Sequence, residues 1–66
     1  MKIIVNGEER EYSEDLTVQE LLESLKIEDK VMASAVNMEI VKKENWHEFR
    51  LKDGDKVEFL HFVGGG

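Results

Sequence analysis

The sequence predicts an α+β domain in which one helix crosses a mixed sheet of four to five strands. Two strand-like runs at the start of the chain flank Asn6-Gly7, a pair typical of tight hairpin turns. A helical pattern begins after Thr17, and a β-type run at residues 56–63 comes near the end. A hairpin, one helix and a return to strands indicate a single sheet with the helix packed on one face.

The composition indicates one small domain with an acidic surface. The chain has 66 residues, 15 acidic and 9 basic side chains, a formal net charge of −6, and neither Cys nor Pro. A domain of this size buries a small core without a deep catalytic cavity beside it. The lack of cysteine excludes disulfides and thiolate metal sites.

The acidic excess argues against nucleic acid and against an anionic membrane as partners. With no membrane-length apolar run and no signal-peptide pattern, we expect a cytoplasmic protein.

The first predicted element is a hairpin of residues 1–5 and 8–12. The first run is mostly apolar and β-branched, whereas the second is polar. Asn6-Gly7 between them suits a type I′ turn, which needs positive φ at both central positions. The polar second strand is expected at a sheet edge, where charges discourage pairing with other chains.

The helix is predicted over residues 18–26. Thr17 followed by Glu20 forms a capping-box pattern, with Leu16 and Leu21 placed as a hydrophobic staple. The apolar residues that follow recur at the spacing of one helical face, namely Val18, Leu21, Leu22 and Leu25. Lys26 is expected in the last turn, where a cation suits the helix dipole.

Three further strands are predicted after the helix, at residues 31–37, 39–42 and 56–63. Asn37-Met38 and Asp53-Gly54-Asp55 supply turns between them. This order is the β-grasp pattern, in which the last strand pairs parallel to the first in the middle of the sheet.

Residues 44–49 are expected to be irregular or a helical turn, with Trp46 and Phe49 available to cover the core. Residues 1–63 would form the β-grasp domain, and residues 64–66 a flexible C-terminal glycine tail.

Side-chain alternation predicts an apolar patch on the sheet face that the helix leaves open. Val57 and Phe59 should face the helix, which leaves Leu60 and Phe62 on the other face. Ile4 is expected to face the same way from the first strand. Ile4, Leu60 and Phe62 would then form a docking patch for a partner, although scattered exposed apolar residues are the simpler reading.

The glycine tail is the most informative feature of the sequence. Gly64, Gly65 and Gly66 follow an apolar strand, and a backbone without Cβ can enter a slot too narrow for side chains. Such a tail would deliver its own α-carboxylate to a partner. A frayed end or a cloning remnant is the alternative interpretation.

No residue set predicts catalysis or a metal site. His47 and His61 lack ligand-like spacing with the carboxylates, and Asp53 and Asp55 flank a turn glycine without the further oxygen ligands of a calcium loop. We therefore expect no metal, no stably bound cofactor and no enzymatic activity in the chain itself.

The chain resembles the ThiS-type sulfur carriers of thiamine biosynthesis, within the ubiquitin-like β-grasp group. The similarity covers nearly the whole chain, in the family's order and spacing. It rests on these segments: Thr17-Val18-Gln19-Glu20-Leu21-Leu22, Ala35-Val36-Asn37, Ile40-Val41 with Glu44 and Trp46, Asp53-Gly54-Asp55, and the glycine end.

The resemblance implies a carrier whose terminal glycine is chemically loaded. A ThiF-type adenylating enzyme would use ATP and Mg²⁺ to adenylate the carboxylate of Gly66, and a sulfur donor protein would convert it to a thiocarboxylate. Thiazole synthase would then receive the sulfur. Gly64 and Gly65 would thread the partner's active site, although the family's usual ending is a glycine pair and the role of Gly64 is open.

Other readings share the fold. A sulfur carrier for molybdopterin or cysteine formation would have the same tail, and a ubiquitin-like modifier would form an amide instead of a thiocarboxylate. A β-grasp protein-binding module would use its sheet face without tail chemistry. We expect a monomer when free, and the net charge predicts a basic docking surface on the activating enzyme with salt-sensitive association.

Overall fold

The computed structural model describes residues 1–61, the last of them by its backbone. These residues form one five-stranded mixed sheet with one α-helix packed against it. The strands are β1 (Lys2–Val5), β2 (Glu8–Glu11), β3 (Val31–Val36), β4 (Glu39–Val41) and β5 (Lys56–His61), and the helix is α1 (Val18–Ser24). The predicted fold class and element order are confirmed.

The sheet order is β2-β1-β5-β3-β4, which places β5 in the middle. β5 runs parallel to β1 and antiparallel to β3. The two flanking pairs, β1 with β2 and β3 with β4, are antiparallel hairpins. The predicted β-grasp connectivity is therefore present, and β2 lies at a sheet edge with all four of its residues exposed, as its polar sequence predicted.

Both hairpins close through type I′-like turns. φ is +47° at Asn6 and +87° at Gly7, and it is +51° at Asn37 and +71° at Met38. Positive φ at both central residues matches the right-handed twist of the flanking strands. The first turn has the favoured Asn-Gly pair, whereas the second holds a methionine where glycine would be unstrained.

The helix begins as predicted and ends earlier than predicted. The Thr17 hydroxyl accepts a bond from the Glu20 N–H (3.1 Å), and the Glu20 carboxylate accepts one from the Thr17 N–H (3.0 Å), which completes the capping box. The last helical residue is Ser24, with Leu25 as the C-cap. Lys26 has φ of +60° and lies beyond the helix, so the prediction of a cation in the last turn is wrong.

The core lies between α1 and one face of the sheet. Ile3, Val5 and Val57 point into it from β1 and β5, as alternation predicted. Trp46 is 1% exposed and donates its indole N–H to the Val41 carbonyl at 3.0 Å. Phe49, expected beside it as core cover, is instead among the exposed large apolar side chains.

Candidate functional site

The candidate site is the open face of the sheet and the end of β5 that leads to the C-terminus. Phe62 of the predicted patch and Gly64, Gly65 and Gly66 of the predicted tail lie outside the described residues. The strand before them is central in the sheet. The last described strand therefore lies in the middle of the sheet rather than at an edge.

The C-terminal half of β5 is paired mainly on one side. β1 pairs with β5 at Lys56 and Val57 only, because it ends at Val5. β3 pairs with β5 from Val57 to His61, with a register shift between Val31 and Ala33. β3 is thus the strand that pairs with the half of β5 leading to the C-terminus.

Leu60 is exposed on the open face, where alternation placed it. Its side chain is 67% exposed and lines a shallow depression with Ala33, Ala35 and Ile40. Ile40 is 71% exposed. Glu58 borders the same depression. The small alanines of β3 leave room between the two larger apolar residues, which yields a concave apolar surface, here called the Leu60 depression.

Ile4 does not share that depression. It lies opposite Lys56 on β5, four positions before Leu60, and lines a second depression with Gly7, Met38 and Lys56. Glu58 borders both depressions and separates the two apolar groups. The register of β1 on β5 thus places Ile4 and Leu60 in different depressions of the open face. The docking patch of Ile4, Leu60 and Phe62 stays a prediction, since Phe62 lies outside the described residues.

Sequence reasoning missed the apolar residues from the β3–β4 hairpin. Met38 is 90% exposed, and Ile40 pairs with Ala35 across the hairpin. The signal for Ile40 was present in the sequence, since antiparallel pairing through the Asn37-Met38 turn places Ala35 opposite Ile40 on one face. That pair lies next to Leu60 because the β3–β4 hairpin is beside β5 in the sheet, which the local sequence does not indicate.

The net charge of the chain is concentrated in one segment. Residues 8–24 contain seven acidic and one basic side chain, whereas the other 49 residues carry eight of each. The segment includes the edge strand β2 and the helix α1. The acidic surface therefore lies on β2, α1 and their connection, away from the apolar Leu60 depression.

The carboxylates singled out around Gly54 have structural partners. Asp53 Oδ1 accepts a hydrogen bond from the Lys2 N–H at 2.6 Å, and Asp55 Oδ2 accepts one from the Lys52 N–H at 2.8 Å. The first bond holds the turn against the start of β1, and the second closes the turn itself. Within residues 1–61, no group of three His, Asp or Glu side chains is placed to hold a metal ion. The same residues contain no helix long and apolar enough to cross a membrane.

Comparison with known proteins relates the chain to sulfur carriers. The model of the ThiS family matches residues 3–66. Sulfur carrier protein ThiS of Bacillus subtilis is 43% identical over 63 residues, which cover 94% of this chain and 96% of that protein. The Escherichia coli protein of the same name is 33% identical over the full length of both chains.

Two further similarities concern a solved structure and a longer protein. The crystal structure of the thiamine biosynthesis protein ThiS from Geobacter metallireducens superposes with a TM-score of 0.82 at 40% identity, covering all of both chains. A thiazole synthase of Paramagnetospirillum magneticum is 42% identical over 66 residues. The chain spans only 20% of the length of that protein.

Proposed function

The chain belongs to the ThiS family of thiamine-biosynthesis sulfur carriers, and we propose that it carries sulfur as a thiocarboxylate on Gly66. The observation that supports this most is the family match itself, which extends through residue 66 and so includes the terminal glycines.

The proposed reaction has two displacement steps. A carboxylate oxygen of Gly66 attacks the α-phosphorus of ATP, and pyrophosphate leaves with the bonding electron pair. A donated sulfur at the level of hydrosulfide then attacks the acyl carbon, and AMP leaves. Activation is required because a carboxylate is a poor electrophile until a good leaving group is attached. The adenylating partner supplies ATP, Mg²⁺ and the groups that stabilise the developing charge.

The division of work between carrier and partner follows from the small size of the domain. The chain provides a carbonyl on a slim glycine backbone, and the partner provides the catalytic pocket. We assign the adenylation step to a ThiF-type enzyme and the sulfur-accepting step to thiazole synthase. The similarity to one fifth of a P. magneticum thiazole synthase supports the second assignment, because it places a related sequence within a protein of that name.

We propose that the Leu60 depression is the apolar part of the surface that docks on the adenylating enzyme. The depression lies on the face that the helix leaves open, and Leu60 is one residue before the last residue of β5. A partner bound there would hold its active site near the glycines that follow. Concave, exposed apolar surface of this kind is typical of protein interfaces.

Leu60→Asp tests this docking surface. The substitution adds a charge to the depression without removing core packing, since Leu60 is 67% exposed. We expect the KM of the adenylating enzyme for the carrier to rise by roughly tenfold or more, as the loss of an apolar anchor at an interface predicts. Pyrophosphate release measured at increasing carrier concentration gives this value.

Asn45→Asp is the matched control, because it adds the same charge at an exposed residue between β4 and β5 that lies outside residues 8–24 and outside the Leu60 depression. The KM of the adenylating enzyme for this variant should equal its KM for the unaltered chain. A Leu60→Asp chain that folds normally and is adenylated with unaltered KM would show that Leu60 does not dock.

Deletion of Gly65 and Gly66 separates a carrier from a protein-binding module. We expect the shortened chain to bind the adenylating enzyme with a Kd close to that of the full chain, because the sheet face is intact, but to release no pyrophosphate. Calorimetric binding and a pyrophosphate assay measure the two properties. Continued pyrophosphate release from the shortened chain would contradict the assignment of the chemistry to Gly66.

A further inference from the structure

Asn6 contacts β5 just beyond the last residue of β1 that pairs with it. β1 ends at Val5, and Asn6 turns the chain away into the first hairpin with φ of +47°. Its main-chain N–H still donates to the Val57 carbonyl at 2.9 Å. Its side-chain Oδ1 accepts from the Phe59 N–H at 3.1 Å.

The side chain of Asn6 takes the place of a main-chain carbonyl. In a parallel ladder, a residue that donates to one residue of its neighbour accepts from the residue two positions further on. Here the donated bond goes to Val57 and the accepted bond comes from Phe59, but the acceptor is the side-chain amide oxygen. Asn6 thereby extends the pairing on the β1 side of β5 two residues beyond Val57.

We infer that Asn6 is a positioning residue for the loading of Gly66, because it fixes the β1 side of β5 at Phe59, where pairing with β1 has ended and β3 holds the other side. The inference rests on the proposed carrier function. The docked carrier must present its carboxylate to a fixed point in the partner, and a strand held on both sides is a more rigid base for that placement than a strand held on one.

The expected size of the effect is modest, because β3 still pairs with residues 57–61 of β5 when the Asn6 bond is absent. The strand keeps its place in the sheet but loses its β1-side bond at Phe59. A small misplacement of a reacting group can lower a rate by up to about 10²-fold, and for the loss of one positioning bond we expect a fall of about threefold. An exposed neutral hydrogen bond contributes little to folding, so the domain should remain folded without it.

Asn37 offers a matched control within the same sheet. It occupies the same position in the second hairpin turn and also contacts β5 through its side chain, where Oδ1 accepts from the Lys56 N–H at 3.0 Å. Its Nδ2 donates to Asp55 as well. Asn37 therefore secures the start of β5, and Asn6 secures the half that leads to the C-terminus.

The test compares Asn6→Gly with Asn37→Gly. Glycine keeps the positive φ of each turn and removes only the side-chain contacts. With a ThiF-type adenylating enzyme, MgATP and saturating carrier, Asn6→Gly should lower kcat for pyrophosphate release about threefold. Asn6 also lines the Leu60 depression, so kcat at saturating carrier, rather than KM, reports its positioning role. The same substitution should also speed amide hydrogen exchange at Phe59. Asn37→Gly should leave kcat unchanged despite a similar or larger loss of stability, and Asn6→Asp, which retains an acceptor oxygen, should keep most of the rate.

The outcomes are distinct. An unchanged kcat for Asn6→Gly overturns the inference while the unaltered chain still demonstrates the carrier function. An equal fall in kcat for both glycine variants also overturns it, because a general loss of stability would then be the cause. If the unaltered chain releases no pyrophosphate, the proposed function fails and the inference fails with it.

Discussion

Ser34 places a hydroxyl in the core, where no described residue forms a hydrogen bond with it. The residue lies on β3, is 1% exposed and pairs across the sheet with Phe59 and Val41. Its Oγ has no partner among the described residues. A buried polar group of this kind costs free energy, because it has given up water without a replacement bond.

Replacement of that hydroxyl should stabilise the domain. For Ser34→Ala we expect the free energy of unfolding to rise by about 1 kcal/mol, the usual cost of an unsatisfied buried hydroxyl. Urea unfolding measures the difference, and Ser13→Ala at an exposed position should change stability little. A loss of stability in Ser34→Ala would show that the hydroxyl makes a bond that the structure does not account for.

Single residues also show where sequence reasoning succeeded. The Asn6-Gly7 turn was predictable, because positive φ at two successive positions is a local requirement that few residue pairs meet. Met38 adopts φ of +71° in the second turn although it is neither Gly nor Asn. The bond from Phe59 to Asn6 spans 53 positions and depends on tertiary structure, so no local signal indicates it.

At the scale of elements, the helix is the clearest case of a start that is predictable and an end that is not. The capping box is a local sequence pattern. The end is a Schellman motif, in which the Ile27 N–H donates to the Leu22 carbonyl (3.1 Å) and the Lys26 N–H to the Glu23 carbonyl (2.9 Å). Lysine occupies the left-handed position where glycine is usual, so the signal for helix termination was missing.

Lys26→Gly should therefore stabilise the protein. Glycine at φ of +60° removes the Cβ strain, and we expect the free energy of unfolding to rise by about 1 kcal/mol. Lys26→Ala is the control, because it removes the same charge and retains the strain. Equal effects of the two substitutions in urea unfolding would show that the charge, rather than the backbone conformation, sets the stability at this position.

At the scale of the whole molecule, connectivity was predictable and the apolar surface was only partly so. A hairpin, a crossing helix and right-handed crossover geometry restrict the sheet to few arrangements, and β5 lies between β1 and β3, in its predicted place in the middle of the sheet beside β1. The face of each residue in β1 and β5 followed from alternation. The separation of Ile4 from Leu60, and the placement of Ile40 beside Leu60, depend on register between strands far apart in sequence, which alternation does not specify.

The molecule as a whole combines an acidic side and an apolar face. Residues 8–24 account for the net charge, whereas the Leu60 depression lies on the open sheet face near the end of β5. Acidic charge can steer a carrier toward a basic partner, and the apolar surface can then fix its orientation. The predicted salt-sensitive association would thus arise from β2, α1 and their connection rather than from the Leu60 depression.

The mass of the chain after activation shows directly whether Gly66 is loaded with sulfur. The protein is incubated with a ThiF-type adenylating enzyme, MgATP and sodium sulfide, and intact mass is followed by fragmentation of the C-terminal peptide. If Gly66 carries the sulfur, one oxygen is exchanged for one sulfur and the change is located on Gly66. An unchanged mass, with an enzyme that loads another carrier under the same conditions, would contradict the loading of Gly66.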